Sequence, residues 1–410
     1  MVQKHQLSIP LQWVNRDGKL IISARALCTC ARGSIAVLIA LYLDKLGFSL
    51  IQIGAFLSAG VAGAAIFALM VTLISERVGR RRLILFYTLI SAAAGLAFVF
   101  FHGFLPLMFF AFVGSIGGAA GSTQPLEQAI LPDTAPSEKR TDLFAVYRII
   151  GLGGSALGTL AAGLPPIYQK AFGVTEIESY RIMFIAFTGA LLLASMLYRL
   201  LSPAVEIEGT KPEWINPLRL PSRRLIFTLT GLFSLDHFAG SLFMQSLAAY
   251  WFYSKFGLEL ESLALVFFSA QILAAISLWL AAKLANRIGL INTMVFTHIP
   301  ASLFLIGAAF APAAWVAILF WQLRAFLSMM DVPTRDSYTM SVVQPNERVA
   351  MAGIHIVGRS ISGTIGPSIA TALWQIFSAT VPLLGCAVLK ITYDLSLYFM
   401  FRNVKPLSEK

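Results

Sequence analysis

The chain has 410 residues, of which 57% are hydrophobic and 12% charged, and its mean hydropathy is +0.76. Soluble domains carry about 25% charge, so this chain cannot cover a soluble surface of its size and must use lipid as part of its solvent. The net charge of +11 has no basic soluble domain to carry it, which argues against nucleic acid as a partner and turns attention to how the charge is distributed.

Twelve apolar runs follow in chain order, at 20–43, 50–74, 83–101, 105–131, 142–164, 180–201, 224–252, 260–283, 290–310, 313–342, 350–377 and 380–402. Runs of about 20 apolar residues span the hydrocarbon core of a bilayer as helices, so the expected fold is all-α and integral to the membrane, with tight turns and no room for a further domain. The first 19 residues are polar without a short apolar core, so the first span is expected to serve as its own insertion signal. The longest polar connector, 202–223, divides the spans into two groups of six, giving an N-terminal bundle 20–201, a C-terminal bundle 224–402 and a tail 403–410.

Counting Lys and Arg by loop puts twenty on one side, and only Lys45, Lys170, Arg181 and Lys255 on the other. Positive residues near helix ends stay in the cytoplasm, so both termini are expected there, in a multi-pass protein of a cell membrane. The compact loops suggest a bacterial inner membrane. Cys28, Cys30 and Cys386 lie inside apolar runs without ligand spacing, so no metal, disulfide or cofactor is expected.

The two groups of six also match in register. Shifted by 210, Arg77 and Gly79 meet Arg287 and Gly289, and Lys45 and Gly47 meet Lys255 and Gly257. Shifted by 208, Pro125 meets Pro333 and Arg140 meets Arg348. The turn after span 2 reads Thr72, Leu73, Ile74, Ser75, Glu76, Arg77, Val78, Gly79, Arg80, Arg81, Arg82. It resembles the loop signature of the major facilitator superfamily, with Thr72 in place of the usual glycine and Glu76 in place of the usual aspartate. The second copy keeps Arg287 and Gly289 but has Asn286 and Leu290 at the acidic and basic places. The resemblance implies a pseudo-symmetric secondary transporter, with Glu76, Arg77, Gly79 and Arg80 as a latch between bundles. The alternative is that Arg77 to Arg82 only follow the positive-inside rule. Glycines 151, 154, 158 and 163 in span 5, and Gly358, Gly363, Gly366 and Pro367 in span 11, faintly resemble a motif of the superfamily's antiporters, which would imply export. Small residues at such intervals also simply let membrane helices approach closely.

Ionisable residues inside a bilayer cost about 2.5–3.5 kcal/mol each on insertion scales, and persist where they face a cavity or a partner. Span 1 holds Arg25 and Arg32, span 4 Glu127, span 7 Asp236 and His237, and span 10 Arg324, Asp331, Arg335 and Asp336. Arg148, His298, His355, Arg359, Lys390 and Asp394 lie in spans 5, 9, 11 and 12, while spans 2, 3, 6 and 8 are uncharged inside. Spans 1, 4, 7 and 10 are the four that line the central cavity in proteins of the superfamily it resembles. Arg25 and Arg32 are two turns apart and share a face; Asp331 and Arg335 can pair, with Arg324 on the same stripe. Asp336 points elsewhere, toward Arg359 or His355.

The candidate substrate-binding residues are therefore Arg25, Arg32, Asp236, His237, Arg324 and Asp331, with Arg32 and Arg324 as guanidinium clamps. Asp236 near the midplane and Glu127 are candidates for proton coupling, Asp236 having a structural ion pair with Arg32 or Arg324 as its alternative. Glu127 either meets Arg335 across the cavity as a gate or braces Arg148; Arg148, Arg335, Asp336 and Arg359 belong to the same interbundle group. Tyr250, Trp251, Phe252 and Tyr253 read as an interfacial belt, with substrate stacking as the alternative. Seven basic against five acidic residues inside the spans favour an anionic solute. The expected function is a monomeric, proton-coupled transporter that exports a small organic solute, and not an enzyme; the alternatives are a membrane enzyme or lipid-handling protein, which would need clustered catalytic groups, and a substrate sensor without turnover. The histidines 5, 102, 237, 298 and 355 are scattered along the chain.

Overall fold

Lipid offers no hydrogen bonds, so a chain this apolar satisfies its backbone groups within helices. The computed structural model describes residues 11–117, 123–206, 220–344 and 347–404, and among these residues it contains helices and no strands. Lys4, Lys211, Arg219, Lys405 and Lys410 of the charge count lie outside the described residues, as do most of the central connector and the side chain of Glu76.

Ten stretches are long and apolar enough to cross a membrane. The shorter apolar helix Phe104–Gly114 with Gln124–Ile130, and Arg348–Ile376, stand in the places of spans 4 and 11, consistent with twelve spans. Span 1 is Arg16–Lys45, span 2 Leu50–Val78, span 3 Arg80–Phe100, span 5 Arg140–Ala161, span 6 Glu176–Arg199, span 8 Leu260–Ile288, span 9 Leu290–Ala309 and span 12 Thr380–Phe401. A short helix, Pro165–Phe172, joins spans 5 and 6.

Spans 4, 7 and 10, expected to be continuous, are each interrupted. Span 7 is split into Arg223–Leu242 and Gln245–Phe256, and span 10 into Ala314–Ser328 and Asp331–Val342. Prolines account for two of the breaks. Pro125 and Pro333 stand in the first turns of the second segments of spans 4 and 10, where a missing N–H is tolerated and continuation of the preceding helix is not. In span 7 the break falls at Phe243 (φ −137°, ψ 57°), whose ring packs edge-on against Trp251 and Trp321.

Helix starts follow local chemistry. The side chain of Asn15 accepts from Gly18 N at 2.9 Å, and Ser49 with Gln52 and Thr175 with Glu178 form capping boxes. The turns after spans 2 and 8 are one residue long, Gly79 (φ +98°) and Gly289 (φ +87°). Each ends one helix and begins the next with a positive φ that side chains resist, so the repeat read at half-chain spacing coincides with equivalent backbone geometry.

Span 1 packs on spans 5 and 6, span 3 on spans 4 and 6, and span 2 on span 4. In the second half span 7 packs on spans 11 and 12, and span 9 on spans 10 and 12. The halves meet through spans 2 and 11, 5 and 8, and 1 and 7. Glycines permit the close approaches inside each half: a Cβ on Gly158 would lie 1.8 Å from the Cys30 carbonyl of span 1, and one on Gly366 would lie 1.8 Å from Ser241 Oγ of span 7. The spacing of small residues in spans 5 and 11 is therefore used for helix contact.

Three acids tie the terminal side together. Asp17 accepts from Ser202 N and Oγ (3.0 and 2.5 Å), and Glu206 accepts from the backbone N–H groups of Arg80 and Arg81 (2.6 and 3.1 Å). Glu347 accepts from Ser222 N at 3.0 Å. The acid at the start of span 3 is thus Glu206, set against the positive end of the helix. Arg80 also donates to the Ala129 carbonyl, and Arg81 to that of Arg199. Arg80, expected in a latch between bundles, thus makes these bonds within the first half.

Candidate functional site

A cavity of about 620 Å3 lies between the halves, lined by residues of spans 1, 4, 5, 6, 7, 8, 10 and 11. The two halves touch at one end of it. Tyr250 donates to Asp44 at 2.8 Å, the Lys45 ammonium sits 5.6 Å from the Tyr253 ring centre, Lys170 faces Glu261 at 3.8 Å, and Ser368 donates to Ser58 at 2.8 Å. Deeper in, Gln271 and Gln245 of the second half donate to Thr159 of the first at 2.7 and 3.4 Å. At the other end, on the side where span 1 begins and span 12 ends, Arg148 and Asp336 face each other at 3.7 Å with side chains 58% and 51% exposed. They form the one ion pair that crosses between halves there among the described residues. The cavity is open on the terminal side and closed on the opposite one.

Among the described residues five guanidinium groups border it, those of Arg25, Arg32, Arg148, Arg335 and Arg359, with Asp336 as the single acid. Helix rotation decides what each of them meets. Arg25 lies 3.8 Å from Glu127 and beside the Tyr147 ring, and its Nε has no partner. Arg335 is held by Asp236 at 3.0 Å and Asp331 at 3.2 Å. Arg32 donates to the Ser115 carbonyl at 3.2 Å, at the point where span 4 breaks. Among the described residues no carboxylate is ion-paired with Arg32 or Arg359. An unpaired cation is expensive at membrane depth, so these two, one from each half, are the positions where a soluble anion would supply the missing charge.

The expected site is only partly assembled. Arg25 and Arg32 share the cavity wall as their spacing predicts, and Asp331 pairs with Arg335. Asp236, His237, Arg324 and Asp331 lie outside the lining. Arg324 stacks on Trp321, 4.7 Å from its ring centre, so it turns away from the stripe of Asp331 and Arg335. The break at Met329–Met330 rotates the two segments of span 10, and a spacing of seven then no longer means one face. Asp236 is buried and bonded to Lys390 at 2.5 Å as well as to Arg335, neither Arg32 nor Arg324 being its partner. His237 packs against Gly363 in the seam between spans 7 and 11.

Glu127 meets neither Arg335 nor Arg148. It is fully buried in the first half and accepts from the hydroxyls of Tyr147 and Tyr198 (2.6 and 2.7 Å) and of Thr123 (2.9 Å). Asp336 is paired with Arg148 and not with Arg359 or His355. The belt of span 7 divides in two: Trp251 and Phe252 are fully buried in an aromatic cluster with Phe243, Phe256, Phe267 and Trp321, whereas Tyr250 and Tyr253 reach span 1.

Sequence reasoning gave no place to Gln124, Gln128, Tyr147 and Gln245, which line the cavity. Lys390 had a usable signal, a lysine inside a span, which in a bilayer needs an acid. The tyrosines around Glu127 had none.

The family model described as Major Facilitator Superfamily matches residues 21–367. A relative in Saccharomyces cerevisiae, the uncharacterized membrane protein YJR124C, is 25% identical, the alignment covering 99% of this chain and 98% of the relative. Among solved structures, the nucleoside transporter NupG superposes with a TM-score of 0.75 at 13% identity, covering 94% of this chain and 99% of that one. A bacterial homolog of the human lysosomal transporter Spinster, inward-facing and occupied, gives 0.74 at 15% identity over 95% and 96% of the two chains. A D-xylose–proton symporter gives 0.73 at 14% identity over 96% and 99%.

Proposed function

The chain belongs to the Major Facilitator Superfamily, and on that premise we propose that it is a proton-coupled secondary transporter of a small organic anion. Family and fold point to a transporter rather than an enzyme. The observation that carries the substrate class is the cavity with five guanidinium groups and one acid among the described residues, none of whose carboxylates is paired with Arg32 of span 1 or Arg359 of span 11. A guanidinium binds a carboxylate or phosphate through two parallel hydrogen bonds, and a ligand holding both groups would bridge the halves.

Alternating access follows from the same geometry. The halves 20–201 and 224–402 rock about the central site, exchanging the contacts of Tyr250, Lys45 and Ser368 at the closed end for a tightened Arg148–Asp336 pair at the other. The positive-inside count places the open end in the cytoplasm. The glycines of spans 5 and 11 serve packing, so the resemblance that suggested export carries no direction.

Thermal shift of the purified protein against mono- and dicarboxylates, phosphate esters, neutral nucleosides and sugars tests the substrate class. Stabilisation by anions that is lost in both Arg32→Gln and Arg359→Gln, with solute-driven flux in proteoliposomes, supports the proposal. Stabilisation by neutral solutes alone, or anion binding indifferent to both substitutions, sinks it; binding without flux would make the protein a sensor.

A further inference from the structure

Behind the cavity, the second half contains a buried row of ionisable side chains larger than packing requires. Asp394 accepts from His298 Nδ1 at 3.0 Å, and Lys390 Nζ lies 3.3 Å from His298 Nε2 and 2.5 Å from Asp236 Oδ1. Arg335 bridges the other oxygen of Asp236 and the carboxylate of Asp331. Spans 7, 9, 10 and 12 each contribute, and all of these side chains are at most 12% exposed. Only Arg335 reaches the cavity.

We propose that His298, clamped between Asp394 and Lys390, is the proton-binding site of this transporter, and that its occupancy is passed to the cavity through Asp236 and Arg335. The inference deepens the proton-coupled reading above and rests on it.

Two features carry it. The first is geometric. With Nδ1–H donated to Asp394, the Nε2 lone pair accepts from the Lys390 ammonium, which fits a neutral imidazole. A proton from solvent adding to Nε2 breaks that hydrogen bond, because imidazolium and ammonium are both donors and repel at 3.3 Å. The new Nε2–H has an acceptor waiting, since Asp236 Oδ1 lies 3.9 Å away. The imidazolium takes over that oxygen, Lys390 is displaced, and the oxygen of Asp236 that holds Arg335 feels the change directly. Loss of the proton reverses the exchange, with no other bond made or broken.

The second feature is the charge count. Asp236, Asp331 and Asp394 carry three negative charges against the two positive charges of Lys390 and Arg335, so the row has one net negative charge with His298 neutral and none with it protonated. Uncompensated charge is what a low-dielectric wall resists, which makes the proton on His298 the sixth charge that brings the row to neutrality. Among the described residues, the charged and titratable groups that face His298 are Asp236 from span 7, Asp331 and Arg335 from span 10, and Lys390, Asp394 and the Tyr393 ring edge from span 12. Span 8 bears charge only toward its ends, at Glu261, Lys283 and Arg287. His237 and His355 lack such a carboxylate clamp; His355 Nδ1 has no partner.

The test uses the full chain reconstituted on a supported membrane, with the proton as the only probe. A pH jump without solute should give a transient charge displacement in the wild-type protein. His298→Gln should abolish it, Asp394→Asn should abolish it as well by making the row neutral without a proton, and His237→Gln and His355→Gln should retain it. No wild-type transient, a transient that persists in both His298→Gln and Asp394→Asn, or one lost only in His237→Gln or His355→Gln would overturn the proposal; if either of the first two variants fails to fold, the other and the wild-type trace decide. Anion-induced thermal stabilisation measured on the same preparations reports separately on the transported solute, so failure of the proton site and failure of the anion reading are distinguishable.

Discussion

Replacing Asp236 by asparagine keeps the volume and removes the charge that two cations share. Lys390 and Arg335 bind different oxygens of this carboxylate, at 2.5 and 3.0 Å. Removing one partner of a buried ion pair costs about 3–5 kcal/mol, mostly because the other charge is left uncompensated. Arg335 keeps Asp331 at 3.2 Å, whereas Lys390 keeps only the imidazole of His298. One cation is therefore orphaned rather than two, and the expected cost is at the lower end, about 3 kcal/mol. Adding Lys390→Met removes the orphan and should recover most of that loss. Glu127→Gln is the contrast, since its glutamine retains an acceptor for one tyrosine and Arg25 is 3.8 Å away and partly solvated; its cost should be nearer 1.5 kcal/mol, that of one weakened charged hydrogen bond. Denaturant unfolding in detergent, followed by tryptophan fluorescence, measures all four proteins. An Asp236→Asn protein within about 1 kcal/mol of wild type, or one that Lys390→Met does not rescue, would refute the reasoning.

Three further outcomes follow from the packing. Glu206→Gln should destabilise the chain by about 1 kcal/mol, because the carboxylate receives two N–H groups at the start of span 3; unfolding midpoints check it, and an unchanged midpoint contradicts the cap. Gly158→Ala should cost about 3 kcal/mol or prevent folding, since the new methyl would stand 1.8 Å from a backbone carbonyl, while Gly153→Ala, which meets nothing within 4 Å, should be tolerated in the same expression and melting assay. For Glu347, burial pushes the carboxyl up, but hydrogen bonds from Ser222 and Gln344 more than offset this and hold it below the ordinary carboxylate range. A depressed folded-state value means stabilisation that is present above the unfolded pKa and lost as pH falls through the folded one, so Glu347→Gln should flatten the acid limb of the melting profile and leave the slope at neutral pH unchanged.

Much of the fold was legible because its cause is local. Each span announces itself by an apolar run, and Gly79 and Gly289 mark equivalent turns by residues that the backbone itself requires. Of the charges concentrated on spans 1, 4, 7 and 10, Arg25, Arg32, Arg335 and Asp336 border the cavity, whereas Glu127, Asp236, His237, Arg324 and Asp331 do not. The breaks in spans 4 and 10 had a visible signal in Pro125 and Pro333, undervalued because apolarity continued through them; Phe243 offered none.

Which charges meet is a different kind of question. A helix residue's partner depends on the rotation of its helix and on what stands opposite, both set by packing among segments that lie from 20 to 154 residues apart in the pairs at issue. Asp236 thus finds Lys390 on span 12, and Glu127 finds two tyrosines on spans 5 and 6. Membership of the membrane and the places of costly charges are thus properties of single segments, written in composition because the transfer energy of each residue is nearly independent of its distant neighbours. The lack of a carboxylate partner for Arg32 and Arg359 among the described residues, the exclusion of Arg324 from the cavity and the row through His298 exist only once the helices are assembled, because pairing between helices requires separations of a few ångströms that spacing along one helix does not set.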